Sequence, residues 1–299
     1  MTSARQRFFA FRRTVPRAPH LERQTVHTRG LAFAVFTSPP ADGMPPLLCV
    51  NGGLIVDHVM LWPALSPLAP GRQLILYDQR GRGDSEAPAH PSTSRIEDDA
   101  ADVPALRRAL GIRQWDVLGH SWGGGIAMLA AAQDPAGVRR LVLADSVGPT
   151  GAWMAPLRAE AQARANDTDR AVLVGLTNEM LAEPDPDVHL AQLRASYEAW
   201  FADRAFASTF PMPRVASPTG AAVLAQLRRD GYDWRDHVRA ISAPTLVLHG
   251  DHDALSPTVA DDLTATIPRA RKLLLPHSGH FPFWEAPAEF LAAASAFLA

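Results

Sequence analysis

The run Asp116-Val117-Leu118-Gly119-His120-Ser121-Trp122-Gly123-Gly124-Gly125 decides the fold. A short apolar strand over residues 116–118 meets Gly-x-Ser-x-Gly and then a stretch of small residues that reads as a helix to Gln133. A chain that passes from strand to helix this abruptly while exposing a serine must turn sharply, so the positions flanking the serine need residues without a Cβ that would clash. Gly119 and Gly123 fill them. The first turn of such a helix also presents backbone N–H groups and a positive dipole end to negative charge developing at Ser121. His120 adjoins the serine, but neighbouring side chains in this turn point in different directions, and a packing role is expected for it.

Outward from this run, short β-branched and leucine-rich stretches alternate with helical ones. Strands are predicted at residues 31–36, 47–50, 73–77, 116–118, 141–144, 245–248 and 272–275, and helices at 96–110, 121–133 and 286–298. This pattern predicts an α/β fold with a mostly parallel, doubly wound sheet covered on both faces. Residues 147–236 break the alternation, carrying Trp153, Trp200, Phe201 and Trp234 among prolines and Ala/Arg/Leu-rich stretches. Loop chemistry at Pro149-Thr150-Gly151 and Ser242-Ala243-Pro244 brackets the segment, which is expected to be an inserted helical cap. The expected organisation is an N-terminal arm at 1–24, an α/β core at 25–146 and 237–299, and the cap at 147–236.

A serine hydroxyl is a poor nucleophile until a base takes its proton, so a histidine and an orienting acid are sought elsewhere in the chain. After strand 245–248 comes His249-Gly250-Asp251-His252-Asp253-Ala254-Leu255-Ser256-Pro257, which offers two aspartates. After strand 272–275 comes Pro276-His277-Ser278-Gly279-His280-Phe281, which offers two histidines. Asp145, at the end of an earlier strand, is a further candidate acid.

With Asn51-Gly52-Gly53, the stretch Tyr77-Asp78-Gln79-Arg80-Gly81-Arg82-Gly83-Asp84-Ser85, the serine turn and Gly279-His280 all in order, the chain resembles the α/β-hydrolase superfamily. The likeness covers residues 31–298 apart from the cap, and is greatest to the proline iminopeptidase group, which removes N-terminal residues from peptides. It implies Ser121 as nucleophile and His280 as base. It implies Asp253 rather than Asp251 as the acid, since relatives follow the acid with a small residue, an apolar residue and a proline two further on. Asp251 then shapes its loop. Backbone N–H groups of Trp122 and Gly53 are the implied oxyanion donors. Asp78 and Arg80 read as a structural turn that supports the active-site loops.

Two features depart from the iminopeptidase pattern. The oxyanion loop continues as Leu54-Ile55 where those enzymes have Gly-Gly-Pro-Gly, and no cap stretch matches their ammonium-binding glutamates. Glu160, Glu179, Glu183 and Glu198 are available in the cap but read as a solvated helix face. The expected function is hydrolysis of a carboxylic ester or amide of a small substrate through an acyl-enzyme. An iminopeptidase-like aminopeptidase leads, a carboxylesterase or lactonase is the alternative, and a non-catalytic binding module comes third. Serine at the turn excludes the aspartate-nucleophile dehalogenases and epoxide hydrolases. No cofactor or metal is expected, because the acid loop accounts for the His249 to Asp253 cluster.

Composition narrows the partners. At 299 residues and 47% hydrophobic, the chain can bury a full-sized core, and a net charge of −2 gives no field to gather nucleic acid or anionic membrane. A small-molecule or short-peptide substrate is the expected partner, with the oligomeric state open. Cys49 is the one cysteine and lies in an apolar run, so a buried thiol without an intramolecular disulfide, in a cytoplasmic protein, is expected. No apolar stretch approaches the ~20 residues of a membrane span. Phe8-Phe9-Ala10-Phe11, set among Arg5, Arg7, Arg12 and Arg13, is too short for a secretory signal and reads as an arm on the body.

Overall fold

The computed structural model describes residues 3–210, 212 and 216–299. Its strands are β1 (Glu22–Thr28), β2 (Leu31–Thr37), β3 (Leu47–Val50), β4 (Leu74–Tyr77), β5 (Trp115–His120), β6 (Val138–Ala144), β7 (Thr245–Gly250) and β8 (Ala270–Leu275). They form one sheet in the order β1-β2-β4-β3-β5-β6-β7-β8. β2 runs antiparallel to both β1 and β4, and every other pairing is parallel. This is the α/β-hydrolase architecture that the sequence implies.

Strands β3, β4, β5 and β7 are buried along their whole length, as parallel strands covered on both faces must be. Alternate residues feed two cores. Leu48, Val50, Ile75 and Tyr77 join the helices Ile96–Ala109 and Trp122–Gln133, whereas Leu47, Cys49, Leu74 and Leu76 join the C-terminal helix Pro287–Leu298. Burial pushes the Cys49 thiol up to about 12, which leaves it protonated and unreactive.

β1 is absent from the sequence reading because only Val26 in it is buried, so it shows no apolar alternation. Its signal lies in the turn. Arg29 and Gly30 both take positive φ, 47° and 76°, which is the geometry of a two-residue hairpin loop between Thr28 and Leu31. The expected arm of 1–24 therefore overlaps β1 at Glu22. Residues 1–2 of that arm, and 211 and 213–215 of the expected cap, lie outside the described residues. The helix Ala4–Arg12 is capped by Ser3 and packs on the body, with Phe8 against Phe206 and Phe210 and the Ala4 N–H donating to Asp203 Oδ2 at 3.1 Å.

Between β6 and β7 the described chain forms helices from Gly151 to Arg239, and its only β-pairing is an isolated bridge from Thr150 to Asp233. Among the described residues no helix is long and apolar enough to cross a membrane.

Charge secures both ends of the sheet. Near the amino ends of the parallel strands, Asp116 accepts from Arg72 at 2.8 Å and from Arg139 at 2.8 and 2.7 Å, and both arginines also hold the Leu298 carbonyl. Near the carboxyl ends, where open α/β sheets place their sites, the turn after β4 braces the neighbouring loops. Arg82 donates to Asp99 at 2.8 and 3.0 Å and to the Leu54 carbonyl at 2.7 Å, and Arg80 grips Asp102 at 2.7 and 2.6 Å. Asp78 takes the His58 N–H at 3.1 Å and the Asp84 N–H at 2.9 Å.

Arg82 and Asp99 have fully buried side chains, so removing one partner strands the other. Asp99→Ala is expected to cost about 3–5 kcal/mol in urea unfolding. A loss below about 1 kcal/mol, the scale of an exposed pair, would contradict the bracing role.

Candidate active site

The turn between β5 and the helix Trp122–Gln133 is made by Ser121 alone, at φ 54° and ψ −123°. The closeness of its surroundings explains the glycines. A Cβ on Gly119 would sit 2.4 Å from the Gly123 carbonyl oxygen, one on Gly123 2.2 Å from that of Val50, and one on Gly124 2.2 Å from Ser146 Oγ. Gly52 lies against the serine itself, where an added Cβ would meet Ser121 Cβ at 2.7 Å. The Ser121 N–H donates to the Ala144 carbonyl at 3.0 Å, which ties the turn to the end of β6.

Gly53 and Leu54 both adopt left-handed backbone, φ 80° and 51°, as the chain leaves β3. Neither the Gly53 nor the Trp122 N–H donates to another described residue, and both residues line one cavity with Ser121 and His280. The sequence-predicted residues of this half thus lie on a common surface.

The loop after β8 brings His280 to the same cavity, and the loop after β7 sets Asp253 behind it. Asp253 Oδ2 lies 2.7 Å from His280 Nδ1, and its Oδ1 accepts the Leu255 N–H at 2.9 Å. Burial would raise the Asp253 carboxyl, but the His280 ring, its hydrogen bond, His249 and the Leu255 N–H together hold it below the ordinary carboxylate range. Ser121 and His280 line the same cavity, and among the described residues no hydrogen bond joins them. Such contacts often close only when substrate is bound.

The rivals lie elsewhere. Asp251 is exposed and holds His252 Nδ1 at 2.6 Å and the Ser278 N–H at 3.4 Å. His277 is exposed, and its carbonyl takes a bond from Arg7. Asp145 is fully buried and accepts the Gly250 N–H at 2.8 Å. Burial and the neighbouring Asp253 charge push its carboxyl well above the ordinary range, so it stays protonated. Asp145, His249 and Asp253 offer ligand atoms within 4.8 Å of one another, as a metal site would. Two atoms of this cluster are committed, Asp253 Oδ2 to His280 and His249 Nε2–H to the Leu255 carbonyl at 2.7 Å, whereas Asp145 Oδ2 and His249 Nδ1 have no hydrogen-bond partner among the described residues.

Two residues do more than their sequence context suggests. His120 is buried, and its Nε2–H donates to the His280 carbonyl at 2.8 Å, so the residue beside the serine anchors the histidine loop. Burial, then the His280 ring, push it down to about 3, so it stays neutral. Glu285, fully buried, accepts the N–H groups of Gly279 at 2.7 Å, Asp203 at 2.9 Å and Ala202 at 3.3 Å. It joins the histidine loop to the helical insertion. Only its place in the Phe283-Trp284-Glu285 run, a charge among aromatics, marks it in the sequence.

The cavity above Ser121 measures about 830 Å³. Trp153, Leu157, Leu193, Trp200 and Leu224 of the insertion give apolar walls, while Arg158, Gln162, His189, Gln192 and Arg228 add polar ones. Of the four candidate glutamates only Glu179 lines it, from an exposed position. Glu160 pairs with Arg164 at 2.6 Å and Glu198 with Arg204 at 3.6 Å.

Residues 45–287 match the family described as the alpha/beta hydrolase fold. The chain is 28% identical over 269 residues to a proline iminopeptidase of Lactobacillus helveticus (strain DPC 4571), covering 83% of this chain and 87% of that one. It is 33% identical over 233 residues to a 2-hydroxymuconate semialdehyde hydrolase of Pseudomonas putida, covering 76% and 77%. The crystal structure of a proline iminopeptidase of Mycobacterium smegmatis superposes with a TM-score of 0.72 at 24% identity, over 93% of this chain and 97% of that one.

Glu285 supplies a test of the joint between loop and insertion. Burial raises its carboxyl from 4.5 to about 7 against the pull of its three N–H partners. The folded chain therefore keeps a proton that the unfolded chain has released. The stabilisation from that proton is full below pH 4.5 and is lost as pH rises through about 7. The destabilisation caused by Glu285→Gln, which does not titrate, should shrink by about 3 kcal/mol between pH 4.5 and pH 8 in urea unfolding. A gap that widens with pH would show the carboxylate form to be the stabilising one.

Proposed function

The chain belongs to the α/β-hydrolase fold family, and on that premise we propose that it is a serine hydrolase that cleaves carboxylic esters through an acyl-enzyme on Ser121. The observation that carries the reading is the His280–Asp253 pair, 2.7 Å apart and buried, beside a serine held in a strained turn on the floor of one cavity. Residues 147–236 act as the cap of that cavity and residues 25–146 and 237–299 as the core beneath it, with 1–24 as the arm.

Ser121 Oγ attacks the ester carbonyl while His280 Nε2 takes its proton. Asp253 accepts the Nδ1–H, which fixes the tautomer that leaves Nε2 free, and stabilises the imidazolium that forms. The Gly53 and Trp122 N–H groups receive the oxyanion. Collapse expels the alcohol, which leaves with the proton from His280. Water then attacks the acyl carbon and gives its proton to His280, and as the second intermediate collapses the bond to Ser121 Oγ breaks, the serine oxygen takes the proton back from His280 and the carboxylic acid leaves. The cycle calls on no group beyond these side chains and amides.

Ester preference follows from the cavity charge. An N-terminal ammonium in a partly dry pocket needs an anion beside it, and Glu179, exposed, is the one acid on the lining among the described residues. A second reading, an iminopeptidase-like aminopeptidase, is favoured by the likeness to the Lactobacillus helveticus enzyme and would assign the ammonium to Glu179. Rates on p-nitrophenyl esters beside proline and alanine p-nitroanilides separate the two, with faster ester turnover expected. An enzyme that cleaves only the anilides, and loses that activity in Glu179→Gln, would be the aminopeptidase.

Ser121→Ala should abolish turnover and fluorophosphonate labelling without unfolding the chain. Asp253→Asn should lower kcat by about 10⁴-fold, the scale of the worked serine-protease case, because the amide favours the wrong histidine tautomer. Asp145→Asn replaces a carboxyl that is already neutral with an amide of similar shape, and a loss under about 10-fold is expected. The reverse ranking of the two asparagine variants would move the orienting acid to the end of β6.

A further inference from the structure

We propose that Arg158 and Arg228 form an anion subsite in the cavity, and that the substrate's acyl portion carries a carboxylate remote from the ester bond. The inference rests on the serine-hydrolase reading of Ser121 and names the substrate class for that site. Arg158 lies on the helix Met154–Arg164 and Arg228 on the helix Pro218–Asp230, and both line the cavity that contains Ser121.

Among the described residues both guanidinium groups bond only to neutral acceptors. Arg158 donates to Asn178 Oδ1 and to the Leu173 and Leu176 carbonyls. Arg228 donates to the Leu181 carbonyl at 3.4 Å, to His189 Nδ1 at 2.9 Å and to Gln192 Oε1. His189 cannot balance the charge. Its Nε2–H donates to the Glu183 carbonyl at 3.1 Å, which leaves Nδ1 as the acceptor for Arg228. Burial and then the Arg228 charge push it down to about 4, so it remains neutral.

Glu179 lines the same cavity, yet among the described residues it makes no ion pair. Its carboxylate is held chiefly by its own backbone N–H and by Thr177, and Arg158 acts on it more weakly. Elsewhere the partly or fully buried arginines of the core meet carboxylates, as Arg72 meets Asp116, Arg80 meets Asp102 and Arg82 meets Asp99. Among the described residues, Arg158 and Arg228 therefore stand out as two cations that share one cavity and pair with no carboxylate. Burial and the charge of Arg158 push Arg228 down to about 10, a sign that each is unfavourable to the other.

A carboxylate between them would relieve both, and neutral acceptors already hold the two planar groups in place, so little ordering is left for binding to supply. The acyl portion is the part that stays in the cavity through the acyl-enzyme stage while the alcohol departs. Cations on the cavity wall can thus act on it in both steps. An ammonium substrate would be repelled.

The test uses the full chain at low ionic strength and p-nitrophenyl hemiesters of succinic, glutaric, adipic and suberic acids. Each is compared with the p-nitrophenyl ester of the unbranched monocarboxylic acid of equal chain length. At one length or more the hemiester should win in kcat/KM by at least about 10-fold, the range of a charge-assisted bond. In Arg228→Gln that ratio should fall at least about 10-fold, chiefly through KM, and Arg228→Lys should restore part of it. Arg158→Gln gives the same reading should Arg228→Gln fail to fold. Calorimetric binding of free glutarate and adipate, weakened by either substitution, decides the subsite without turnover. The proposal is overturned if the labelled, ester-cleaving enzyme prefers the neutral ester at every length, or if Arg228→Gln and Arg158→Gln leave both ratio and dicarboxylate binding unchanged. An enzyme that binds dicarboxylates through the arginines but neither labels at Ser121 nor cleaves any ester would retain the subsite and contradict the serine reading instead.

Discussion

The structure depends on one reversal of the backbone, at Ser121, where β5 becomes a helix within a single residue held at φ 54°. A non-glycine residue there costs on the order of 1–3 kcal/mol, so the surroundings must over-determine it. They do so by contact. Gly119, Gly123 and Gly124 leave no room for a Cβ, and the turn is wedged against Val50 at the end of β3 and Ser146 beyond β6. The same closeness sets Gly52 against Ser121 and puts Gly53 and Trp122 on the lining of the serine's cavity. Strand ends therefore set the site.

Around the histidine, three buried acids are kept in different states by their neighbours. Asp253 gathers the His280 ring and a backbone N–H and is held as a carboxylate; Asp145, beside it, is left to burial and like charge and keeps its proton. Two carboxylates this close cannot both ionise, and the one that accepts hydrogen bonds from the His280 ring and the Leu255 N–H takes the charge. Glu285 sits on the other side of the loop, gripping Gly279 and the start of the segment that follows Trp200. The histidine is thereby fixed from its ring, from its carbonyl through His120 and from its preceding residue through Glu285.

What the sequence made legible was whatever is carried by short, local chemistry. The serine turn, the acid loop and the Gly279-His280 loop each announce themselves within a few residues, because each needs particular backbone freedom beside a particular side chain. The choice of Asp253 over Asp251 came from likeness to a family rather than from composition, since two aspartates two positions apart are equivalent on paper; burial and a 2.7 Å contact with His280 distinguish them in space. β1 escaped because an edge strand with one buried residue has no hydrophobic period. The cavity cations escaped for a related reason. Arg158 and Arg228 sit 70 positions apart on amphipathic helices, where arginines ordinarily face water, and only the folded insertion turns them toward the same space.

The most direct test of the account is the covalent intermediate. On rapid mixing with a p-nitrophenyl ester, the enzyme should release a burst of p-nitrophenol close to one equivalent per active site, and acid-quenched protein should carry the acyl group on the peptide containing Ser121. Steady turnover with no burst under conditions of slow deacylation, and with the acyl group absent from that peptide or found on another residue, would contradict the assignment of Ser121 as the nucleophile.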